Sequence, residues 1–478
     1  MAASQVAERV QELHLDDNGR GPGFESPERV RNLNIVFIGH VDAGKSTLCG
    51  HLLYLTGNLD ERTLEKYEKE AKSKGRESWK FAWALDLTEQ ERSKGKTTDY
   101  GVASFRTATK HITIIDAPGH KAYVPAMISG TGQADVAILV ISARKGEFEA
   151  GFERGGQTRE HAMLAKTAGV RQLIVVINKM DEPTVQWSEE RFQEICDKLA
   201  PFLKQIGYRP QEVSWVPVSG FTGENLREPV HPSTCAWYKG GSLLQVLDAL
   251  KLPPRPLDMP VRMTVVDRFR DMGVCILGRV EAGTIRSGDR LLLMPPRLVV
   301  HVTSITMDAE EVPLAEPGDN VKLLVKGVEE DDIHSGQVLC AENDPVEATT
   351  TFDGQVMLVE HKSILTAGYR CIAHIQAAAV EVVFERLLAE VDRRTNQIVK
   401  KHPKFVRPGS TFIARLSVAQ PVCVTAFKEF APLGRFMLRD EGTTIGAGVV
   451  LRIPSQRAKS ETNAVVYPDT NKTGADGP

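Results

Sequence analysis

The sequence has few of the features that mark a secreted, disulfide-bonded or membrane-spanning chain. Its seven cysteines are odd in number, far apart and never arranged as Cys-x-x-Cys, which argues against a disulfide framework and a zinc site. No apolar run is long enough to cross a bilayer, and the opening MAASQVAERVQELHLDDNG is acidic and amphipathic rather than a signal peptide. We therefore expect a cytoplasmic protein with reduced thiols and no membrane partner.

An excess of charge of one sign is also absent. The 59 basic and 62 acidic residues give a formal net charge of −3, so no field of the whole molecule draws it to RNA. Residues 255–454 carry 24 Lys and Arg against 26 Asp and Glu, so they lack the excess of positive charge that binding of a polyanion requires. A local cationic patch is still compatible with this balance. We therefore expect no direct tRNA binding.

The chain has a globular composition and changes character once, near KLPPRPLDMP. Before that point, runs that are apolar on both faces, such as NIVFIGH and DVAILVISA, alternate with helix-like stretches, which predicts an α/β domain with a doubly wound, mostly parallel sheet over residues 32–254. After it, short alternating segments cut by glycine turns predict two all-β barrels, over residues 255–346 and 347–454. The polar ends, residues 1–31 and 455–478, are expected to be flexible tails.

The stretch GHVDAGKST follows a predicted strand, precedes a helix and fits the pattern G-x-x-x-x-G-K-[ST]. Its glycines allow backbone N–H groups to surround phosphate oxygens at a helix N-terminus. Lys45 is expected to reach the β- and γ-phosphates and to assist catalysis, and Ser46 to offer its hydroxyl to Mg²⁺. The predicted nucleotide contacts of this loop are His40, Val41, Asp42, Ala43, Gly44, Lys45, Ser46 and Thr47.

The motif DAPGH ends the next apolar run and predicts a sensor of the terminal phosphate. The carboxylate of Asp116 should face the same crevice and hold Mg²⁺. Gly119 can bring its N–H close to the γ-phosphate because it has no Cβ. His120 follows it and is the candidate for orienting the attacking water.

A long charged insertion, residues 62–96, separates the first two strands and reads as two amphipathic helices. Directly after it, Thr97 in RSKGKTTDYG is the candidate for a second Mg²⁺ hydroxyl, with Thr98 as the alternative. Such a hydroxyl would hold the insertion down only while the γ-phosphate is present. We therefore expect a switch that hydrolyses nucleotide slowly when it is alone.

The base is predicted from NKMD, which follows the apolar run QLIVVI. A carboxylate at Asp181 can accept hydrogen bonds from both the N1–H and the exocyclic amino group of guanine, whereas adenine offers no such pair of donors. Asn178 and Lys179 belong to the same motif. The loop after WVPV should approach the guanine oxygen from the other side, through Ser219, Gly220 and Phe221. Loops at the carboxyl ends of parallel strands converge where such folds bind ligands.

Together, GHVDAGKST, DAPGH, NKMD and EAGTIRSGD resemble the translational GTPases of the elongation-factor class, over residues 32–454. Within that class, SARKGEFEAGFERGGQTREHAMLAKTAGV and GRFMLRDEGTTIGAG are most similar to the GTPase subunits of eukaryotic polypeptide release factors. The resemblance implies that Thr97 and Asp116 bind Mg²⁺ and that His120 orients the hydrolytic water. It further implies guanine contacts by the NKMD motif and by Ser219.

The same resemblance implies hydrolysis of GTP to GDP and phosphate, stimulated by the ribosome and by a protein partner. That partner would be the release-factor subunit that recognises stop codons and hydrolyses peptidyl-tRNA, with the two barrels as its platform and its dock chiefly on the last barrel. The chain itself would not cut the peptidyl-tRNA ester, and it would be monomeric when free.

The sequence departs from the elongation-factor pattern at one position, and rival functions share its motifs. Lys96 stands where elongation factors carry an apolar residue, so a hydrophobic gate completed by Val41 would be open on one side. A ribosome-rescue GTPase shares almost every motif. A tRNA-delivering elongation factor, a GTP-gated scaffold and a metabolic GTPase subunit such as one of sulfate activation each share part of the pattern.

Overall fold

The computed structural model describes most of the chain. Its described residues are 31–73, 80–84, 101–119, 123–153, 156–252, 254–308, 310–359, 363–392, 395 and 397–454. Of the predicted tails, only Arg31 lies within these ranges, and it begins the first strand. Within the same ranges, no helix is long and apolar enough to span a membrane.

The first domain is built on one six-stranded sheet with the spatial order β2-β3-β1-β4-β5-β6. All neighbouring strands are parallel except β2, which runs antiparallel to β3. The strands are β1 (Arg31–Gly39), β2 (Gly101–Arg106), β3 (Lys110–Asp116), β4 (Val136–Ser142), β5 (Gln172–Asn178) and β6 (Val213–Pro217). Every residue of β3 and β4 is buried, as expected of strands covered on both faces.

Seven helices accompany this sheet in the described residues, and two apolar cores pack between the sheet and the helices. The helices are α1 (Lys45–Leu55), α2 (Glu61–Ser73), α3 (Val124–Gly132), α4 (Glu147–Phe152), α5 (Gln157–Ala168), α6 (Glu189–Ile206) and α7 (Leu243–Ala249). Of the predicted insertion, α2 and the short 3₁₀ turn Ala82–Ala84 are described. This architecture confirms the predicted doubly wound α/β class.

The second domain is a closed barrel of six antiparallel strands, with β10 pairing both β15 and β11 to complete the circle. Its described strands are β7 (Arg262–Arg270), β8 (Val274–Ala282), β9 (Ile285–Arg286), β10 (Arg290–Met294), β11 (Leu298–Met307), β12 (Glu310–Val312), β13 (Leu314–Ala315), β14 (Asn320–Lys326) and β15 (Val338–Ala341). Closure leaves few free strand edges, which is how small all-β domains avoid uncontrolled pairing.

The third domain is another six-stranded antiparallel barrel, closed by the pairing of β18 with β19. Its described strands are β16 (Ala348–Leu358), β17 (Leu365–Thr366), β18 (Arg370–Ile375), β19 (Ala378–Val391), β20 (Ile398–Lys401), β21 (Phe405–Val406), β22 (Thr411–Cys423), β23 (Arg435–Asp440) and β24 (Thr443–Arg452). The two predicted barrels are therefore confirmed.

One carboxylate joins the α/β domain to the first barrel. Asp135, which precedes β4, accepts hydrogen bonds from Arg255 Nη2 at 2.9 Å and from Arg279 Nη2 at 2.6 Å. Its Oδ2 also accepts a bond from the backbone N–H of Asn34 at 3.0 Å. Because Arg255 lies in the linker and Arg279 in β8, Asp135 fixes both to the amino end of β4.

The second barrel contacts the α/β domain through α5. Glu160 Oε1 lies 3.8 Å from Arg439 Nη2 and accepts a hydrogen bond from Thr444 Oγ1 at 3.3 Å. At the far end of the helix, the guanidinium of Arg435 lies against Gly169, where a Cβ would be 2.1 Å from Nη1. Two strands of the barrel, β23 and β24, thus pack on one helix.

Candidate functional site

The phosphate loop adopts the shape that the sequence predicts. Helix α1 begins at Lys45, and the preceding Gly44 has φ of 91°, a left-handed conformation that glycine adopts readily. A Cβ at Gly44 would also lie 2.4 Å from Asn178 Nδ2. Only glycine fits this position, so the loop packs closely against the carboxyl end of β5, at a helix N-terminus where backbone N–H groups can bind phosphate.

Lys45 is held inside the loop. Its Nζ donates to the carbonyl oxygens of Gly39 at 3.1 Å and His40 at 2.9 Å, and the side chain is buried. Burial lowers the pKa of Lys45, while the nearby Asp116 carboxylate opposes that shift. In the described structure the Lys45 ammonium group donates to backbone carbonyl oxygens of the loop. When nucleotide binds, phosphate oxygens would take the place of these carbonyls as acceptors.

The two predicted Mg²⁺ ligands that the structure describes lie together. Ser46 Oγ donates to Asp116 Oδ2 at 2.6 Å, and Asp116 is fully buried at the end of β3. A hydroxyl and a carboxylate are the hard oxygen ligands that Mg²⁺ prefers, so these residues fit the ion. Among the described residues, no cluster of three or more His, Cys, Asp or Glu forms a complete metal site. The predicted third ligand, Thr97, lies outside the described residues, as does its alternative Thr98.

Gly119 lies directly beside the phosphate loop. A Cβ there would be 2.5 Å from Lys45 Nζ and 3.3 Å from the backbone nitrogen of Val41. The lack of a side chain thus allows the close approach that a sensor of the terminal phosphate needs. His120, the predicted water-orienting residue, lies outside the described residues, and so does Lys96 of the predicted gate.

Asn178 links the phosphate side of the crevice to the base side. Its Nδ2 donates to Ala43 O at 2.9 Å, and its Oδ1 accepts from the backbone N–H groups of Lys179 and Gly220, both at 2.8 Å. The side chain is 3% exposed. The amide therefore has a structural task, because it holds three loops in one arrangement; its predicted contact with guanine stays a prediction.

The two charged residues of NKMD differ in their surroundings. Lys179 adopts a positive φ of 63°, and its Nζ donates to Glu147 Oε2 at 2.7 Å. Glu147, the first residue of α4, also accepts a hydrogen bond at 2.7 Å from Ser142 Oγ at the end of β4. This second bond fixes the Glu147 carboxylate, which in turn orients Lys179. Asp181 is partly exposed, and within the described part of the chain no hydrogen bond to its carboxylate is found. That carboxylate is placed to accept bonds from a ligand.

The loop after β6 folds back on itself. Ser219 is fully buried, and its Oγ accepts a hydrogen bond from the backbone N–H of Thr222 at 3.0 Å. The N–H of Gly220 already bonds Asn178, whereas the ring of Phe221 is 50% exposed at the rim. The structure thus brings this loop to the NKMD loop, and Ser219 and Gly220 hold the loop in shape; their predicted contacts with guanine stay predictions.

His161 is a site residue that the motifs did not predict. From the middle of α5, its Nδ1 accepts a hydrogen bond from the backbone N–H of Gly39 at 3.0 Å. Complete burial, with smaller contributions from Lys45 and His40, lowers the pKa of His161 to about 3. The imidazole is therefore neutral and orients the first residue of the phosphate loop. Nothing in its helical spacing distinguishes it from a core residue.

A second histidine, His51, joins the base-side loop to the insertion. Its Nδ1–H donates to Gly220 O at 2.8 Å, and its ring stacks on Phe81 with centroids 4.0 Å apart and planes 9° from parallel. Trp83, in the same short segment, is fully buried. Helix α1 thus contacts both the insertion and the base-side loop through His51.

Family models match the chain in the order of its domains. The elongation factor Tu GTP-binding domain matches residues 30–254, elongation factor Tu domain 2 matches residues 273–340, and the GTP-eEF1A C-terminal domain-like family matches residues 351–451. The chain belongs to the translational GTPases of the elongation-factor class. This membership agrees with the resemblance of its four loop motifs to that class.

This translational GTPase is 50% identical to the eukaryotic peptide chain release factor GTP-binding subunit of Schizosaccharomyces pombe, over 425 residues that make up 88% of this chain and 64% of the relative. The first curated relatives are longer proteins, of whose length the chain spans between 57% and 64%. The relatives with the same name include fungal proteins at 46% to 50% identity.

Two solved structures are similar to this translational GTPase. Sup35 complexed with GDP is 42% identical to it, with 91% of this chain and 98% of that chain covered at a TM-score of 0.41. The GTPase-like domain of Saccharomyces cerevisiae Ski7, bound to GDP and inorganic phosphate, reaches a TM-score of 0.72 at 20% identity, with 88% of this chain and 98% of that chain covered. The Ski7 likeness shows a shared fold.

Proposed function

We propose that this translational GTPase is the GTP-hydrolysing switch of translation termination, acting in the cytoplasm with a stop-codon-recognising release factor on the ribosome. The proposal is supported by the names of relatives at about half identity and by the domain order of the family. The observation that carries the GTP-binding part is the meeting of four loops at the carboxyl ends of β1, β3, β5 and β6.

Each described loop has a separate task in this reaction. The phosphate loop and Lys45 bind and neutralise the phosphates, Ser46 and Asp116 would hold Mg²⁺, and Asp181 recognises guanine. When bound, Mg²⁺ would neutralise charge that develops on the phosphate oxygens. A water oxygen attacks the γ-phosphorus, the bond to the β–γ bridging oxygen breaks, and the products are GDP and inorganic phosphate. His120 is proposed to orient that water, and Thr97 to sense the γ-phosphate.

Base recognition is tested by the Asp181→Asn variant. An amide in place of the carboxylate presents a donor to the guanine amino group, so affinity for GDP should fall while affinity for xanthosine diphosphate rises. Asp197→Asn, at an exposed acid within α6, is the matched control and should retain the parental preference. Measurement of both dissociation constants by calorimetry decides the matter: an unaltered preference in Asp181→Asn would remove this residue from base recognition.

The termination role is tested by competition. The chain is immobilised with a non-hydrolysable GTP analogue and offered a stop-codon-recognising release factor, a ribosome-rescue factor and aminoacyl-tRNA. We expect selective capture of the release factor, and each of the two ligands should tighten the binding of the other by the same factor. Preferential capture of the rescue factor would reassign the chain to ribosome rescue. Capture of tRNA alone would contradict both roles.

A further inference from the structure

One side of the second barrel ends in an exposed edge strand. In the spatial order of the sheet β20 is the last strand, and among the described strands it pairs only with β19. All four of its residues, Ile398–Lys401, are exposed. The next strand, β21, pairs with β17 and brings Phe405 to the same stretch of chain. We call residues 398–407 the basic edge.

The basic edge has an uncompensated local charge. Its sequence IVKKHPKFVR contains four Lys and Arg residues and no Asp or Glu. The four cations are Lys400, Lys401, Lys404 and Arg407, and no ion pair between them and another described residue lies within 4.0 Å. Glu390 stands opposite Lys400 in the strand ladder, yet the two do not form an ion pair. The near-zero charge balance of the two barrels therefore conceals one cationic surface.

An exposed aromatic ring lies within this cationic surface. Phe405 is 38% exposed, with Lys400 Nζ 6.0 Å and Arg407 Cζ 5.9 Å from its ring centroid. Cations that flank an accessible ring can follow a phosphate backbone while the ring stacks on an unpaired base. Lysine on an edge strand also guards against unwanted strand pairing, which accounts for Lys400 and Lys401. It does not account for Lys404, Arg407 or the exposed ring, which lie beyond that strand.

The basic edge lies apart from the contacts with the α/β domain. Those contacts use β23 and β24, whereas β20 pairs with the last residues of β19. Docking of the barrel on α5 therefore leaves the four residues of β20 exposed.

We propose that the basic edge binds the phosphate backbone of unpaired RNA, with the Phe405 ring stacked on a base. This contact goes beyond GTP hydrolysis and does not depend on it. Each phosphate neutralised on a single strand contributes about 0.7 to the slope of log affinity against log salt concentration, so four cations contribute about 2.8. Raising monovalent salt fourfold should therefore weaken binding by roughly 50-fold.

The test measures binding of a fluorescent unstructured RNA to the full chain over a series of KCl concentrations. Lys400, Lys401, Lys404 and Arg407 are replaced together by alanine. The matched control replaces four exposed lysines of the α/β domain by alanine, namely Lys66, Lys69, Lys204 and Lys239. We expect the first variant to lose roughly 100-fold in affinity at low salt and its salt slope to become shallower by about 2.8, while the control binds almost as the parent does.

Phe405→Leu separates stacking from charge. It should weaken RNA binding about tenfold with an unchanged salt slope, because stacking on an aromatic side chain is not an ionic contact. GDP affinity and melting temperature are measured for every variant. If the fourfold variant melts early, Lys404→Ala with Arg407→Ala gives the same test, with about half the change in slope.

Several results would overturn the proposal. They are parental RNA affinity in the fourfold variant, an equal loss in the α/β-domain control, and full affinity in Phe405→Leu. Tighter binding of an acidic polyglutamate peptide than of RNA would instead assign the surface to an acidic protein partner.

Discussion

Replacing Asn178 by alanine should weaken guanine nucleotide binding without any loss of a direct contact with the phosphates. The side chain makes three hydrogen bonds, to Ala43 O and to the N–H groups of Lys179 and Gly220, and it is almost completely buried. Each lost bond leaves a buried backbone group without its partner, at a cost of about 1 kcal/mol or more. The sum of about 3 kcal/mol corresponds to roughly 100-fold in affinity if the loops must be reordered by the nucleotide.

The assay is titration of fluorescent GDP, with thermal melting measured alongside. Asn178→Asp is the informative companion, since it keeps an oxygen for the two N–H groups but turns a second oxygen toward Ala43 O. It should therefore bind GDP more weakly than the parent. Asn58→Ala, at an exposed position just beyond α1, is the control and should behave as the parent does. Parental affinity and melting temperature in Asn178→Ala would refute the reasoning.

Three other predictions follow from the described contacts. Gly119→Ala should weaken binding of a GTP analogue more than binding of GDP, because a methyl group 2.5 Å from Lys45 Nζ obstructs the terminal phosphate position; calorimetry with both nucleotides checks this, and equal losses would contradict it. Asp135→Asn should lower the melting temperature, since loss of a mostly buried charge leaves Arg255 and Arg279 facing each other at a cost of about 3 kcal/mol; an unchanged melting curve would speak against the junction. The depressed pKa of His161, from 6.5 to about 3, means that only the unfolded chain takes up this proton as the pH falls below 6.5. The free energy of unfolding should then decrease by up to about 1.4 kcal/mol per pH unit, and His161→Gln should remove that part of the slope in denaturant titrations at several pH values.

The fold could be predicted largely from the sequence because its signals are local. Runs such as VAILVIS, apolar on both faces, are typical of parallel strands covered by helices on both sides of the sheet, and β4 has that burial. The phosphate loop, DAPGH and NKMD each follow such a run directly. The carboxyl ends of parallel strands lie on one side of a sheet, so Lys45, Asp116 and Asp181 were predicted to line one crevice without knowledge of the strand order.

The contacts that hold the site together could not be predicted in the same way. His161 reaches Gly39 across 122 positions of sequence, and Glu147 reaches Lys179 across 32. Neither residue belongs to a recognisable motif, because each contact joins residues that are far apart in sequence and meet only in the folded protein. The tasks of Asn178 and Ser219 were also only partly visible, since a motif identifies the residue but not whether its polar atoms serve the protein or the ligand.

Helix α5 contacts both the nucleotide site and the second barrel. His161 fixes the first residue of the phosphate loop. The adjacent Glu160 contacts Arg439 and Thr444 of the second barrel. If displacement of this barrel shifts α5, the contact of His161 with the phosphate loop changes with it. Release of nucleotide would then make the same displacement easier, by the same free energy.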